Sequence, residues 1–414
     1  METGIVSAQG LLGPAVGLGL FLLAFMVQRA VLARLDPQTL IGDERDYLAI
    51  ATGAPVRSVW VRVPLGALPV WIARQTNAAD VARRARLIVS LIASATVGIG
   101  GWFACEQAGL AAGLAAGLIL LASAERAVLA IHLWPDTLMG LCLLAFAMAI
   151  AAPDGMLWIG ALAAVGFLIR VDFTVLAVFA VVHALVAFPG SPGALAAAVL
   201  PTMLAAAAMA LHNKRKHGIW SPDTTFQFNL AVASTEAAFP RAPTQELMLR
   251  TTRRVRAEGD EQRDTVARPL PLATARLGFR RLVTLVGKET FVLQKLLVAL
   301  SPVYAGRFSP RVATLVLAST RLWFSIVFIA FVLFSPAIPR EILALVACVV
   351  FVQSAVQTRS RYRMAVLPVM AVYVAIAAVS PGAPAISAGS VMLALCAAVL
   401  VAVCRPRDEQ RQES

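Results

Sequence analysis

The chain has 414 residues, of which 59% are hydrophobic and only 14% charged, with a mean hydropathy of +0.78. Its formal net charge is +13, from 36 basic and 23 acidic residues. A soluble domain runs at roughly 45–50% apolar and about 25% charged, so the composition excludes an ordinary soluble domain and equally a disordered chain. It fits an all-α polytopic membrane protein. Arg or Asp at mid-bilayer costs about 2.5–3.5 kcal/mol on insertion scales, so the charge is expected in a few loops. Residues 36–86 hold seven Arg and five acids, and residues 212–312 hold seventeen Lys or Arg and eight acids, so these two loops carry +11 of the +13. Four Lys stand against thirty-two Arg, which suits either phosphate binding by the planar guanidinium fork or a GC-rich bacterial genome.

A helix needs about 20 apolar residues to cross roughly 30 Å of hydrocarbon. On that basis about eleven spans are predicted, at 10–33, 85–105, 109–124, 135–152, 156–170, 172–188, 193–211, 312–334, 340–356, 364–380 and 386–404. They form a single transmembrane domain over residues 1–404, with short interfacial helices in the first long loop and a polar tail at 405–414. The first apolar stretch has no basic n-region before it and no small-residue cleavage site after it, so a retained first span is expected rather than a signal peptide. Gly109, Gly113 and Gly117 recur every fourth residue, a small-residue face suited to close helix packing. Cys105, Cys142, Cys348, Cys396 and Cys404 show no metal-ligand spacing and no disulfide framework.

The loop 212–312 is too long and basic for a simple connector. Phe279, Leu282, Val283 and Val286 fall at helical spacing among Arg276, Arg280, Arg281 and Lys288. That pattern predicts an amphipathic helix, lying on the membrane surface or packed on its own protein. Residues 250–268 read as a solvated segment. Parity of the spans puts loops 36–86, 124–135, 171, 212–312 and 357–363 on one face, leaving the other with short turns such as those holding Asp154 and Arg340.

Several residues on the charged face could carry chemistry. Asp43, Tyr47 and Ile50 share one face of a short helix, pointing a carboxylate and a phenol the same way. At a helix N-terminus an ionised Asp43 is favoured and can act as a general base, or it can serve as a simple N-cap with Asp46 at N3. Asp136, after Trp134-Pro135, and Arg170, before Val171-Asp172, lie on the same face and could pair, or each could mark a helix end. His212, Asn213, Lys214, Arg215, Lys216 and His217 suit a lipid phosphate or anchoring to anionic headgroups. Arg359, Arg361, Tyr362 and Arg363 precede Pro368 where the tenth span begins, a plausible phosphate clamp.

Taken in order, these elements resemble the GT-C superfamily of membrane glycosyltransferases, which includes the protein O-mannosyltransferases and the aminoarabinose transferase acting on lipid A. The resemblance rests on Asp43-Glu44 with Tyr47, Arg62-Val63-Pro64-Leu65, Pro135-Asp136, the Arg170 helix end, the segment His212–Gly218, and Arg361-Tyr362-Arg363 with Pro368. It covers roughly residues 10–380.

The resemblance implies a GT-C-like fold and a polyprenyl-phosphate-sugar donor. The acceptor would be an envelope glycan, lipid or protein at the extracytoplasmic face of the bacterial inner membrane. No cofactor, no metal and no nucleic acid would take part. Carried onto this chain, Asp43 would be the catalytic base and Glu44 would assist. Arg361 and Arg363, with Arg170, Lys214 and Arg215, would hold the donor phosphate, while Tyr47, Asp136 and Tyr362 shape the site. The expected reaction is a single displacement that inverts the anomeric carbon.

The positive-inside rule, counted on Arg29, Arg34 and the short loops, would put the charged face in the cytoplasm; the resemblance puts it outside, and that placement is adopted. Alternative readings are an O-antigen ligase or polymerase, whose key residues concentrate in one late loop, and a lipid-linked-sugar transporter or flippase. Arg321 inside span 312–334 is the transporter's best support.

Overall fold

In the computed structural model the described residues are 8–34, 40, 43–53, 63–75, 80–152, 155–218, 220–223, 309–356 and 363–380. Among them the chain is all-helical. The expected span 386–404, the tail 405–414, the amphipathic helix near 276–288, the segment 250–268, Asp154, Arg361 and Tyr362 lie outside the described residues.

The helices are α1 (Ala8–Leu32), α2 (Glu44–Thr52), α3 (Leu68–Gln75), α4 (Val81–Ala108), α5 (Leu110–Leu121), α6 (Ala124–Leu129) and α7 (Asp136–Ala151). After them come α8 (Met156–Ile169), α9 (Thr174–Ala187), α10 (Pro192–His217), α11 (Pro310–Leu333), α12 (Arg340–Val356) and α13 (Arg363–Val379). Ten of the eleven expected apolar segments therefore coincide with described helices. Among the described residues, three stretches are long and apolar enough to cross a membrane: Leu11–Leu32, Val81–Ala108 and Pro192–Lys216, of 22, 28 and 25 residues. Helices such as Leu110–Leu121 and Met156–Ile169 are apolar but shorter; at 1.5 Å per residue, 14 residues reach only about 21 Å.

Hydropathy locates these helices but not their ends. α4 begins four residues before the expected span, because Asp80 caps it by accepting the Arg83 N–H at 2.9 Å, so Arg83 and Arg84 join its first turn. α5 stops at Leu121 because Ser123 opens α6, accepting the Arg126 N–H at 3.2 Å. The outer surface of α1, α9 and α10 carries exposed Leu18, Met26, Val182, Val186, Met203 and Leu204. Such an apolar exterior suits lipid rather than water.

Small residues set the closest helix contacts, as expected where lipid gives no hydrophobic drive between helices. At the α1–α4 crossing, a methyl on Gly98 would stand 2.7 Å from the Gly17 carbonyl oxygen. Gly113 and Gly117 pack α5 against α4 and Leu20, but Gly109 is the turn between α4 and α5, with φ +85. α8 and α10 meet so closely at Gly160 that a methyl there would overlap the Ala197 carbonyl oxygen. α13 runs through the middle of the bundle, buried along nearly its whole length and packed against α4, α5, α7, α11 and α12.

A second, smaller core lies under the first loop, where Tyr47, Ala51, Ala67, Val70 and Ala73 meet Ala85 and Val89 of α4 and Leu133. Direct contacts fix which chain ends share that level. Val63 donates its N–H to Asp223 at 3.3 Å, and a methyl on Gly66 would lie 3.3 Å from the Ile169 carbonyl oxygen. One on Gly140 would lie 2.9 Å from the Met364 carbonyl oxygen. The first loop, the end of α8, the segment after α10 and the starts of α7 and α13 thus gather at one end of the bundle.

Gly160→Val should lower stability by about 1–3 kcal/mol through overpacking, read as a lower melting temperature in detergent. Gly19→Ala, with nothing within 4 Å of the added methyl, should melt with the wild type; equal melting of both variants would refute the α8–α10 contact.

Candidate active site

Two clusters of charge occupy the gathered end. The first is built on Glu44. α2 starts at Asp43 and stops at Gly53, whose φ of 72 the chain needs to leave the helix. Arg74 of α3 donates to the Ala51 carbonyl at 2.9 Å and ties down the same end. Tyr47 and Ala51 turn the buried face of α2 into the small core, and Glu44, one turn earlier on that face, goes in with them.

The Glu44 carboxylate is fully buried and held from three directions. Arg86, itself fully buried in the second turn of α4, approaches at 3.2 Å. The His132 Nδ1 lies 3.2 Å from Oε1, and the Leu133 N–H donates to Oε1 at 2.9 Å. Burial pushes the carboxyl pKa upward, but His132, Arg86 and the Leu133 amide outweigh it and hold the group down at about 2. An ionised carboxylate only accepts hydrogen bonds, so Nδ1 of His132 carries the proton. The His132 ring is fixed in turn by stacking on Trp134, with centroids 4.7 Å apart.

Asp43 is different. It stands at the N-cap position, but its side chain makes no capping bond, and the residue is only half-buried. Tyr47 is buried, while Ile50 is half-buried beside it.

The second cluster joins α7 to α8. Arg170, in extended conformation at the end of α8, donates from NH1 to Asp136 at 3.2 Å. Its Nε and NH2 grip both oxygens of Asp172 at 2.9 Å each, a fork-to-fork pair. Asp136 and Arg170 therefore do pair across 34 residues. The cluster holds two carboxylates to one guanidinium, so any phosphate approaching Arg170 must compete with them.

The other expected phosphate ligands are dispersed. Arg363 opens α13, 1% exposed, with its guanidinium 5.1 Å from the centroid of the Phe324 ring, a cation–π arrangement. Lys214 and Arg215 are exposed at the end of α10, where Lys214 donates to the Gly218 carbonyl at 3.3 Å and lies 6.0 Å from the Trp220 ring. Asn213, buried between them and the bundle, donates to the Ser221 and Pro222 carbonyls at 2.7 and 3.0 Å. It thereby turns the chain so that Asp223 reaches Val63. Arg321 lies on α11, with its side chain outside the described residues.

Arg86, His132 and Asp172 belong to these clusters, and the sequence reading passed over them. A signal existed for the first: an arginine among the leading residues of an apolar helix demands a partner, and Glu44 is the partner found. Among the described residues no three or more His, Cys, Asp or Glu side chains converge on a metal position. No family model, curated protein or solved structure matches this chain.

Breaking a buried ion pair by removing one partner costs about 3–5 kcal/mol, so Glu44→Gln should be far less stable than wild type. The depressed Glu44 pKa stabilises the fold above the ordinary carboxyl value near 4.5, and this is lost as pH falls from there toward about 2. The stability difference between wild type and Glu44→Gln, measured by thermal melting, should be constant above pH 5 and shrink below 4.5. A difference independent of pH would rule out the ionised carboxylate.

Proposed function

We propose that this chain is a GT-C-like, multi-pass glycosyltransferase of the bacterial inner membrane, moving a sugar from a polyprenyl-phosphate carrier to an acceptor hydroxyl at the extracytoplasmic face. The observation that supports it best is the division between adjacent carboxylates. Glu44 is held at a low pKa by three donors, and it fixes the first turn of α2. Asp43, the residue before it, is half-buried and makes no capping bond at the charged end of an apolar bundle.

In this reading Asp43 takes the proton from the acceptor hydroxyl as that oxygen bonds to the anomeric carbon. The bond from that carbon to the carrier's phosphate oxygen breaks, the electron pair leaves with the polyprenyl phosphate, and the configuration inverts. Arg363, at the start of α13, combines a fixed cation with a helix N-terminus, both favourable to the leaving phosphate. Lys214 and Arg215, exposed at the end of α10, would add positive charge for the carrier's phosphate. Asp136, Arg170 and Asp172 form a polar wall, because each Arg170 nitrogen donates to one of the two carboxylates. Such positioning of two reactants supplies much of what the reaction requires.

The full chain, reconstituted with synthetic undecaprenyl-phosphate-linked sugars and an envelope-derived acceptor mixture, tests this. Asp43→Asn should melt with wild type yet lose transfer by about a hundred- to ten-thousand-fold. Transfer at the wild-type rate by that variant would overturn the assignment. Sidedness is a separate check. Trp220, 69% exposed at the charged end, replaced by Cys, should react with an impermeant thiol reagent from outside the cell; labelling only from the cytoplasm would move the site inside.

A further inference from the structure

Gln353 has no hydrogen-bond partner among the described residues. It is 2% exposed on α12, and neither its amide nitrogen nor its amide oxygen has a hydrogen bond there. A primary amide offers two donors and an acceptor, and burying them unmet is costly. Each unsatisfied group in a native structure calls for a reason, such as a bound molecule.

Its position supplies the reason. α12 runs antiparallel to α9, and the Glu341 carboxylate near the start of α12 lies within electrostatic reach of His183 on α9. Twelve residues separate His183 from Val171 along one strand of this pair, and twelve separate Glu341 from Gln353 along the other. At equal rise this brings Gln353 level with the turn Val171–Phe173, against which α12 packs. That turn carries Asp172, the bidentate partner of Arg170, and α12 also packs against α7 and α13, whose first residues are Asp136 and Arg363. The amide therefore sits one helical turn inside the charged end, at the level of the Asp136–Arg170–Asp172 wall.

We infer that Gln353 is a binding residue for a hydroxylated ligand group, the sugar of the lipid-linked donor, its amide accepting from one hydroxyl and donating to another. This rests on the glycosyltransferase reading and extends it from the phosphate and the base to the sugar. A neutral amide suits that role. Beside a wall with two carboxylates and one guanidinium it adds no charge, and it can distinguish hydroxyls by direction.

The test compares two probes on the full chain in detergent: undecaprenyl phosphate carrying a sugar, from a panel of hexoses and pentoses, and bare undecaprenyl phosphate. Wild type should melt higher with at least one sugar-bearing lipid than with the bare one. Gln353→Leu and the isosteric Gln353→Met should melt at or above wild type without lipid, because the unmet amide is gone. They should keep the shift given by the bare lipid, lose the increment due to the sugar, and show kcat/KM lower by about three- to tenfold per lost hydrogen bond.

If both variants retain the sugar increment, the amide holds only water and the inference falls while the glycosyltransferase reading stands. If both are less stable than wild type without lipid, the amide has a structural role and the inference is again overturned. If neither lipid shifts the wild type, the glycosyltransferase reading fails and this inference with it.

Discussion

A single buried carboxylate organises the charged end of this protein. Glu44 takes donors from α4, through Arg86, and from the segment joining α6 to α7, through His132 and the Leu133 N–H. Without it, the helix α2 would keep a small apolar core of alanines, valines, Leu133 and one tyrosine and the Arg74 bond to its Ala51 carbonyl. With it, the first loop is fastened to two parts of the bundle at one point. A buried ion pair is poor evidence of net stability, because desolvation offsets much of the attraction. Its value lies in specificity: a carboxylate that needs three donors in fixed directions admits one placement of α2. Everything that depends on where Asp43 points inherits that placement.

The two charged clusters meet the same problem differently. Glu44 is fully enclosed, whereas Arg170 retains 13% side-chain exposure and grips two carboxylates. The first cluster is therefore a hidden fastening, and the second can face a ligand. Gln353 stands at the level of the second cluster with its amide unmet among the described residues. Among the described residues the bundle beneath is largely apolar and is held by glycine contacts.

The sequence was informative where signals are local. Apolar runs marked ten helices. The Asp136–Arg170 pair was within reach because both residues sit at span ends, where counting spans assigns a side. Helix ends were not legible, since Asp80 and Ser123 decide them by capping bonds that hydropathy does not register. The number of crossing helices was legible only in part, because an apolar run does not tell a 14-residue helix from one that spans the hydrocarbon. The Glu44 cluster was hidden for another reason: its partners lie 42, 88 and 89 residues away. No periodicity connects such positions; only the packing of α4 and α7 under the first loop does.

Those separations also impose an order of assembly. When α2 is synthesised neither Arg86 nor His132 has yet been made, so Glu44 must wait for more than eighty residues before its full set of donors exists. Val63 waits longer still, because its acceptor, Asp223, comes 160 residues later and follows α10. The first loop is among the earliest segments synthesised, and this tether forms only after α10 has been laid down. The charged end therefore gains its fastenings one after another as the chain lengthens, and a product truncated before Asp223 would have the Glu44 donors but lack the acceptor for Val63.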